Sequence, residues 1–327
     1  MRTAYEWMVG LVLAALAFAP GAGAQTPTPP PECIAPAKPG GGFDLTCKLV
    51  QAALADAGHA RPMHISYMPG GVGAIAYDTI ITKRPAEAQT LVAFSSGSLL
   101  NLANGRFGRH AMGDVRWLAA VGADYGIVLV SSRSPWQTLP DLLAALKANP
   151  GKITFAGGGT IGSQDWVKSA LVAKAAGVDY KAMRFVAFEG GGEATAALKA
   201  GHVQVYAGDA SEVADKLPAQ GPFRVLAVMA ERRLPGLLAH VPTAREQGAD
   251  MVWPSVRGLY MGPKVSEAAF HAWRTTFEQL MATPSFDRLR AHYGLFPLQM
   301  TGPALQAFLE QQSLQYADMA GRFGLRR

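Results

Sequence analysis

The chain reads as an α/β protein of two domains, and three observations carry that reading. Strand-like and helix-like stretches alternate along its length. Glycine-rich turns recur where strands end and helices begin, at 40–42, 70–73, 157–162 and 190–192. About 300 residues remain once an export leader is set aside, more than one hydrophobic core usually supports.

The leader occupies residues 1–24. Arg2 precedes an apolar run from Met8 to Ala19, and Ala22-Gly23-Ala24 supplies a small-x-small cleavage pattern. The run is too short, and too soon followed by Pro20 and Gly21, to span a bilayer. The expectation is a periplasmic protein cut after Ala24; a retained anchor is the alternative. Residues 26–31 form a Pro-rich spacer, and Cys33 lacks the small-residue run of a lipidation site.

The first strand is centred on Ile34-Ala35 and ends in Gly40-Gly41-Gly42, after which Leu45, Leu49, Val50, Ala53, Leu54 and Ala57 share one helical face. Asp44 then stands where an N-cap belongs. Three glycines leave the turn's N–H groups uncovered beside the positive end of a helix, which suits an anion; a plain capped turn is the other reading. A strand over 63–68 leads to a helix over 74–82. Another strand over 91–94 leads through Ser96 and Ser98 into a helix. Strands over 115–121 and 126–131 precede a helix over 139–148, with Pro140 in its first turn. The strand 153–156 is followed by the turn at 157–162 and a helix to Ala176. A strand over 183–186, the turn at 190–192, a helix to Ala200, and strands at 203–207, 224–229 and 257–261 come next. Helices begin near Ser266 and Pro303. In open α/β sheets ligands bind outside the carboxyl ends of strands, so four such turns shared between two halves imply a cleft lined by backbone amides.

Composition removes several function classes. An apolar content of 49 % with 17 % charged residues describes a globular chain. Removing the leader takes away Arg2 and Glu6 together, so the formal charge stays at +6. That charge is scattered, with no basic-aromatic stripe, so nucleic acid is not the expected partner. Gly157, Gly159 and Gly162 match a dinucleotide fingerprint in spacing, but exported proteins rarely meet free NAD, and no cofactor is expected. The 7 histidines form no zinc-type pair, so no metal is expected. No nucleophile elbow is present and no nucleophile, base and oxyanion hole assemble, so the chain is not expected to be an enzyme. Cys33 and Cys47 flank the first glycine turn. In an oxidising compartment an isolated close pair reads as a disulfide in preference to a metal site.

The order of these motifs resembles that of the substrate-binding receptors of tripartite tricarboxylate transporters, the Bug-type periplasmic receptors. The family's Pro-x-Gly-Gly-x-x-Asp is similar to Pro39-Gly40-Gly41-Gly42-Phe43-Asp44, with one spacing variant. Pro150 to Ala156 resembles the entry to its second domain. Phe188 to Ala194 followed by Leu198 to Val203 resembles its second glycine turn and helix. Val241-Pro242-Thr243, Glu246-Gln247-Gly248 and Arg257-Gly258 complete the likeness, which covers nearly the whole mature chain.

The resemblance implies a two-lobed periplasmic-binding-protein fold, type II-like, closing by hinge motion on a di- or tricarboxylate. It places 25–126 and 257–327 in one lobe and 127–256 in the other. It assigns ligand binding to Gly40, Gly41, Gly42, Phe43 and Asp44 in the first lobe, and to Gly159, Thr160, Ser163, Gln164, Gly191 and Gly192 in the second. Ser96 and Asp209 are further candidates. Arg257 either forks onto a ligand carboxylate or forms an interlobe salt bridge. Many relatives carry His shortly after the position of Ser163, where this chain has Gln164-Asp165-Trp166. The implied partners are a small carboxylate and a membrane permease, with the receptor monomeric. An exported enzyme or a ligand sensor on the same scaffold are the competing readings.

Overall fold

The computed structural model describes residues 29–59, 61–214, 217 and 221–325; the leader expected at 1–24 lies outside them. Strand β1 (Glu32–Ala35) is flanked in parallel by β2 (His64–Tyr67) and β3 (Thr90–Ser95). Antiparallel to β3 lies β9 (Pro254–Met261), and beyond it β4 (Arg116–Ser131), whose Ala119 and Ala120 also pair with β10 (Met300–Thr301). A second sheet grows from the far end of β4. There Gly126–Ser131 pairs antiparallel with β8 (Phe223–Met229), and Leu129 and Val130 pair with β7 (Val205–Tyr206). β5 (Thr154–Gly158) follows β7 in parallel, and β6 (Arg184–Phe188) forms the edge.

Nine helices occur among the described residues. α1 (Gly42–Asp56), α2 (Ala74–Thr82), α3 (Ser96–Ala103), α7 (Glu267–Met281), α8 (Pro284–His292) and α9 (Gly302–Arg322) accompany the first sheet in sequence. α4 (Leu139–Ala148), α5 (Gln164–Ala175) and α6 (Gly191–Ala200) accompany the second. Both faces of the first sheet are covered. Cys33, Ala93, Leu118 and Leu259 pack with Leu49 of α1 and Phe277 of α7 on one side, while Phe94, Trp117 and Tyr260 pack with Tyr77 of α2 on the other. Ile127, Leu129 and Tyr206 of the second sheet pack with Ala194 and Leu198 of α6.

Two sequence expectations change. The strands expected at 115–121 and 126–131 are one strand of 16 residues. Gly122 and Asp124 look like turn residues, but Ala123, Asp124 and Tyr125 hold register with Val256, Ser255 and Pro254 of β9. The buried Asp124 carboxylate finds partners in three dimensions that the local sequence does not contain. Asp44 is also not the N-cap of α1. Gly41 occupies that position in an extended conformation, and Asp44 sits in the first turn with its carboxylate reaching back to the Gly40 N–H at 2.7 Å. Helix α8 was not anticipated, although Thr283, whose hydroxyl accepts from the Phe286 N–H, and Pro284 in the first turn are ordinary start signals. Cys33 and Cys47 are joined in a disulfide, with their Cα atoms 5.6 Å apart, so β1 is stapled to the second turn of α1.

Candidate functional site

The β1–α1 turn faces the β6–α6 turn across a cleft between the two sheets. Gly42 is the first residue of α1, and Gly191 the first of α6. The approach demands glycine: a Cβ on Gly192 would lie 2.6 Å from the Pro39 carbonyl oxygen, and one on Gly42 would lie 2.2 Å from the Arg257 guanidinium. The β5–α5 turn closes the same cleft. Val72, the single described non-glycine residue with positive φ (55°), leans on Gly159, where an added Cβ would meet the Val72 side chain at 2.5 Å. A β-branched residue in that conformation is strained, and the contact lies where the sheets' loops meet.

Beneath these turns lies a buried network of charge. Arg257 on β9 directs Nη2 to Asp124 at 2.7 Å and to Asp209 at 2.8 Å. Lys168 on α5 reaches Asp209 at 2.8 Å and Asp165 at 2.9 Å. Gln164 donates to Asp209 at 2.8 Å. Asp165 also accepts from the Gly158 N–H at 2.7 Å, and Asp124 from the Ser211 hydroxyl at 2.6 Å and the Ser211 N–H at 3.1 Å. Glu212 accepts from the Gly42 N–H at 3.0 Å and from the Tyr206 hydroxyl.

The network joins four acids, Asp124, Asp165, Asp209 and Glu212, with Arg257 and Lys168. Burial raises the carboxyls of Asp124 and Asp165 above their ordinary range despite their cationic neighbours. Burial works the same way on Asp209, but Lys168 and Arg257 outweigh it and hold that carboxyl below its usual value. Burial, with Asp209 and Asp165 adding repulsion, pushes Glu212 up to about 7.

The jaws enclose a cavity of about 40 Å³, lined by Gly41, Gly42, Phe43, Gly158, Gly159, Gln164, Asp165, Gly191, Glu212 and Arg257. A larger hollow of about 320 Å³ opens at the mouth of the cleft, between Gly71, Val72, Asn101 and Arg106 on one side and Gly159, Thr160, Phe188, Glu189 and Glu193 on the other.

The structure thus gathers Gly40, Gly41, Gly42, Phe43, Gly159, Thr160, Gln164, Gly191, Gly192, Asp209 and Arg257 around one cleft. Other partners are given to three of the expected side chains. Asp44 is buried against Lys48 at 2.8 Å and the Tyr67 hydroxyl at 2.9 Å. The Ser96 hydroxyl accepts from the Val256 N–H at 2.9 Å, and Ser163 caps α5. The Arg257 fork, offered by the sequence for a ligand or for an ion pair, is taken by Asp124 and Asp209. Sequence reasoning missed Asp124, Asp165, Lys168, Glu212 and Val72. Two signals existed: Asp165 and Lys168 at helical i,i+3 spacing, and Glu212 three residues after Asp209. Among the described residues no cluster of His, Cys, Asp and Glu is arranged to hold a metal ion, and no helix is long and apolar enough to cross a membrane.

The family model of the Tripartite tricarboxylate transporter family receptor matches residues 47–325. The chain belongs to that family. Its members are periplasmic receptors and not enzymes. BugT of Bordetella pertussis is 27 % identical over 262 residues, 79 % of this chain and 78 % of BugT. The "UPF0065 protein in gbd 5'region" of Cupriavidus necator is 26 % identical over 204 residues, 62 % of this chain and 60 % of that protein's length. Among solved structures, Rpa4515 of R. palustris with adipate superposes with a TM-score of 0.82 at 19 % identity, covering 91 % of this chain and 98 % of its own. MatC from Rhodopseudomonas palustris with bound malate superposes with a TM-score of 0.77 at 19 % identity, covering 90 % and 99 %. These likenesses identify the two-lobed α/β fold of periplasmic binding proteins.

Proposed function

We propose that the chain is an extracytoplasmic receptor that closes two lobes, 25–126 with 257–327 and 127–256, on a small organic acid and delivers it to the permease of a tripartite tricarboxylate transporter. One observation carries the reading: the N-termini of α1 and α6 face each other across the cleft, each begun by glycine, so that backbone N–H groups converge on a space between the sheets. Membership in a receptor family and the malate and adipate bound by structurally similar proteins support an acid as the ligand. Gly40–Phe43 would grip one end. Gly159, Thr160, Gln164, Gly191 and Gly192 would close on the rest, with Asp209 and Arg257 setting the charge of the floor. Hinge opening exposes the jaws, and the ligand draws the population towards closure by binding the closed form better.

A thermal-shift screen against succinate, malate, adipate, citrate and their half-amides tests the reading. Ligand at a hundred times its dissociation constant adds about 2.7 kcal/mol to stability; a screen in which no organic acid moves the transition refutes it. Delivery predicts that deleting the gene abolishes uptake of the acid so identified. Export predicts a periplasmic protein whose first residue is Gln25.

A further inference from the structure

Two chambers lie in the cleft, and they meet at one place. The inner cavity of about 40 Å³ touches Gly41, Gly42 and Gly191 at the starts of α1 and α6, where an acid group would be gripped. The outer hollow of about 320 Å³ reaches the size range of small-molecule sites. Val72, Gly159 and Glu189 line both. Val72 and Gly159 come from the loops of different sheets and already touch: a Cβ on Gly159 would lie 2.5 Å from Val72 Cγ2. Val72 is also where the backbone is least at ease. Its φ of 55° and ψ of 43° are left-handed, a region that glycine enters freely and a β-branched residue enters at a cost. Its neighbours Gly70, Gly71 and Gly73 all take positive φ, so the one residue of this turn that carries a side chain is the one set against the opposite loop. The turn is pinned from behind, where the Asn101 side-chain amide of α3 donates to the Gly71 carbonyl at 3.2 Å. Val72 is half-buried against the apolar cluster that includes Phe43, so its side chain has little room to withdraw.

We propose that Val72 is a specificity-determining residue of the receptor: set against Gly159, it forms the neck between an inner chamber for the acid group and an outer hollow for the rest of the ligand, and it selects acids with no carbon branch on the first two carbons beyond the gripped carboxyl group. With about 40 Å³ inside and about 320 Å³ outside, the body of a ligand held by the α1 and α6 turns lies in the hollow, and its chain runs past Val72. A methylene chain is the slimmest link that can do so. Extra methyl groups on the passing carbons meet the γ-carbons of Val72, and overfilling a packed contact is destabilising. The inference rests on the receptor reading above and narrows its ligand class to acids with a slim chain next to the carboxyl group. Citrate, with its quaternary central carbon, falls outside that class.

The test is calorimetry on the full mature protein with pairs of acids matched in charge that differ by two methyl groups: succinate against 2,2-dimethylsuccinate, glutarate against 3,3-dimethylglutarate, and butyrate against 3,3-dimethylbutyrate. The wild-type protein is expected to bind the unbranched member of a pair about tenfold or more tightly, the discrimination that methyl-sized groups produce in a tight apolar contact. Val72→Thr keeps the branched outline and is expected to keep the preference. Val72→Ala and Val72→Gly remove the γ-carbons and are expected to bring the two members to near-equal affinity. Glycine is at ease at this φ, so the turn survives the change. A folding defect weakens both members alike, whereas the ratio between them reads the neck. If no pair shows the preference in the wild-type protein, or if citrate is its tightest ligand, the inference is overturned, while a response to any acid in the thermal-shift screen still upholds the receptor reading. A preference that persists unchanged in Val72→Ala and Val72→Gly also overturns it. Absence of binding by every acid in both experiments removes the receptor reading itself, and the inference with it.

Discussion

At the α1 side of the cleft, Gly40, Gly41 and Gly42 present backbone, and the one acid there, Asp44, is tied to Lys48 and Tyr67. On the opposite side Asp165, Lys168, Asp209 and Glu212 converge in a single hydrogen-bonded network, joined to the first sheet through Arg257. The first jaw is also fixed covalently, by Cys33–Cys47, whereas the second is positioned by ion pairs. A backbone jaw offers an anion-favouring surface with little chemical identity. A jaw built of buried charges has a fixed electrostatic character instead. The two sides of the cleft thus differ in what holds them: backbone and a disulfide on one, a buried ion network on the other.

Four measurements bear on that division. The largest effect belongs to Lys168→Met, which leaves Asp165 and Asp209 facing each other without their shared cation. Removing one member of a buried ion network costs about 3–5 kcal/mol, measurable by urea denaturation. A loss below about 1 kcal/mol would show that the second jaw does not depend on its charges. Next comes the staple. Replacing both cysteines by alanine releases a loop with a sequence separation of 14, for which chain-entropy arguments give about 3 kcal/mol. Equal stability of the two forms would mean that the first jaw is held by packing alone.

The third effect is a pH dependence. Glu212 keeps its proton in the folded state up to about 7, against an ordinary 4.5, and the groups facing it are Asp209, Asp165, Arg257 and Tyr206. Between these values the folded state binds more protons than the unfolded one, so this group's contribution to stability falls as pH rises. Glu212→Gln removes that contribution. Relative to the variant, the wild-type protein is expected to lose on the order of 2 kcal/mol as pH rises from about 4.5 to 7, levelling off above that as the folded-state group finishes titrating. A pH-independent difference in melting temperature would refute this titration. The smallest effect is expected for Asp44→Asn, which loses the Lys48 ion pair but keeps an acceptor for the Gly40 N–H. A loss of about 1 kcal/mol, with ligand affinity nearly unchanged, would confirm that Asp44 organises the turn.

The candidate site was legible in the sequence wherever local chemistry marks it. Gly40 to Gly42, Gly159, Gly191 and Gly192 announce themselves because only glycine lets two backbones come this close. Arg257 was legible as a charge needing a partner, but not as one already paired, since Asp124 and Asp209 lie 133 and 48 residues away. Glu212 was marked in the sequence by its place three residues after Asp209, but its contact with a backbone N–H 170 residues distant leaves no periodicity behind.

By itself, then, the sequence determined the alternation of strands and helices, the glycine turns at strand ends, the cysteine pair and the order of family motifs. All of these follow from nearest-neighbour sterics and side-chain spacing. Tertiary structure decided that β4 runs unbroken from one sheet into the other and that Asp124 in its middle is neutralised from β9. It also decided that Glu212 lies between the α1 and α6 turns. Those outcomes depend on which charges are buried together, and burial is a property of the folded chain as a whole.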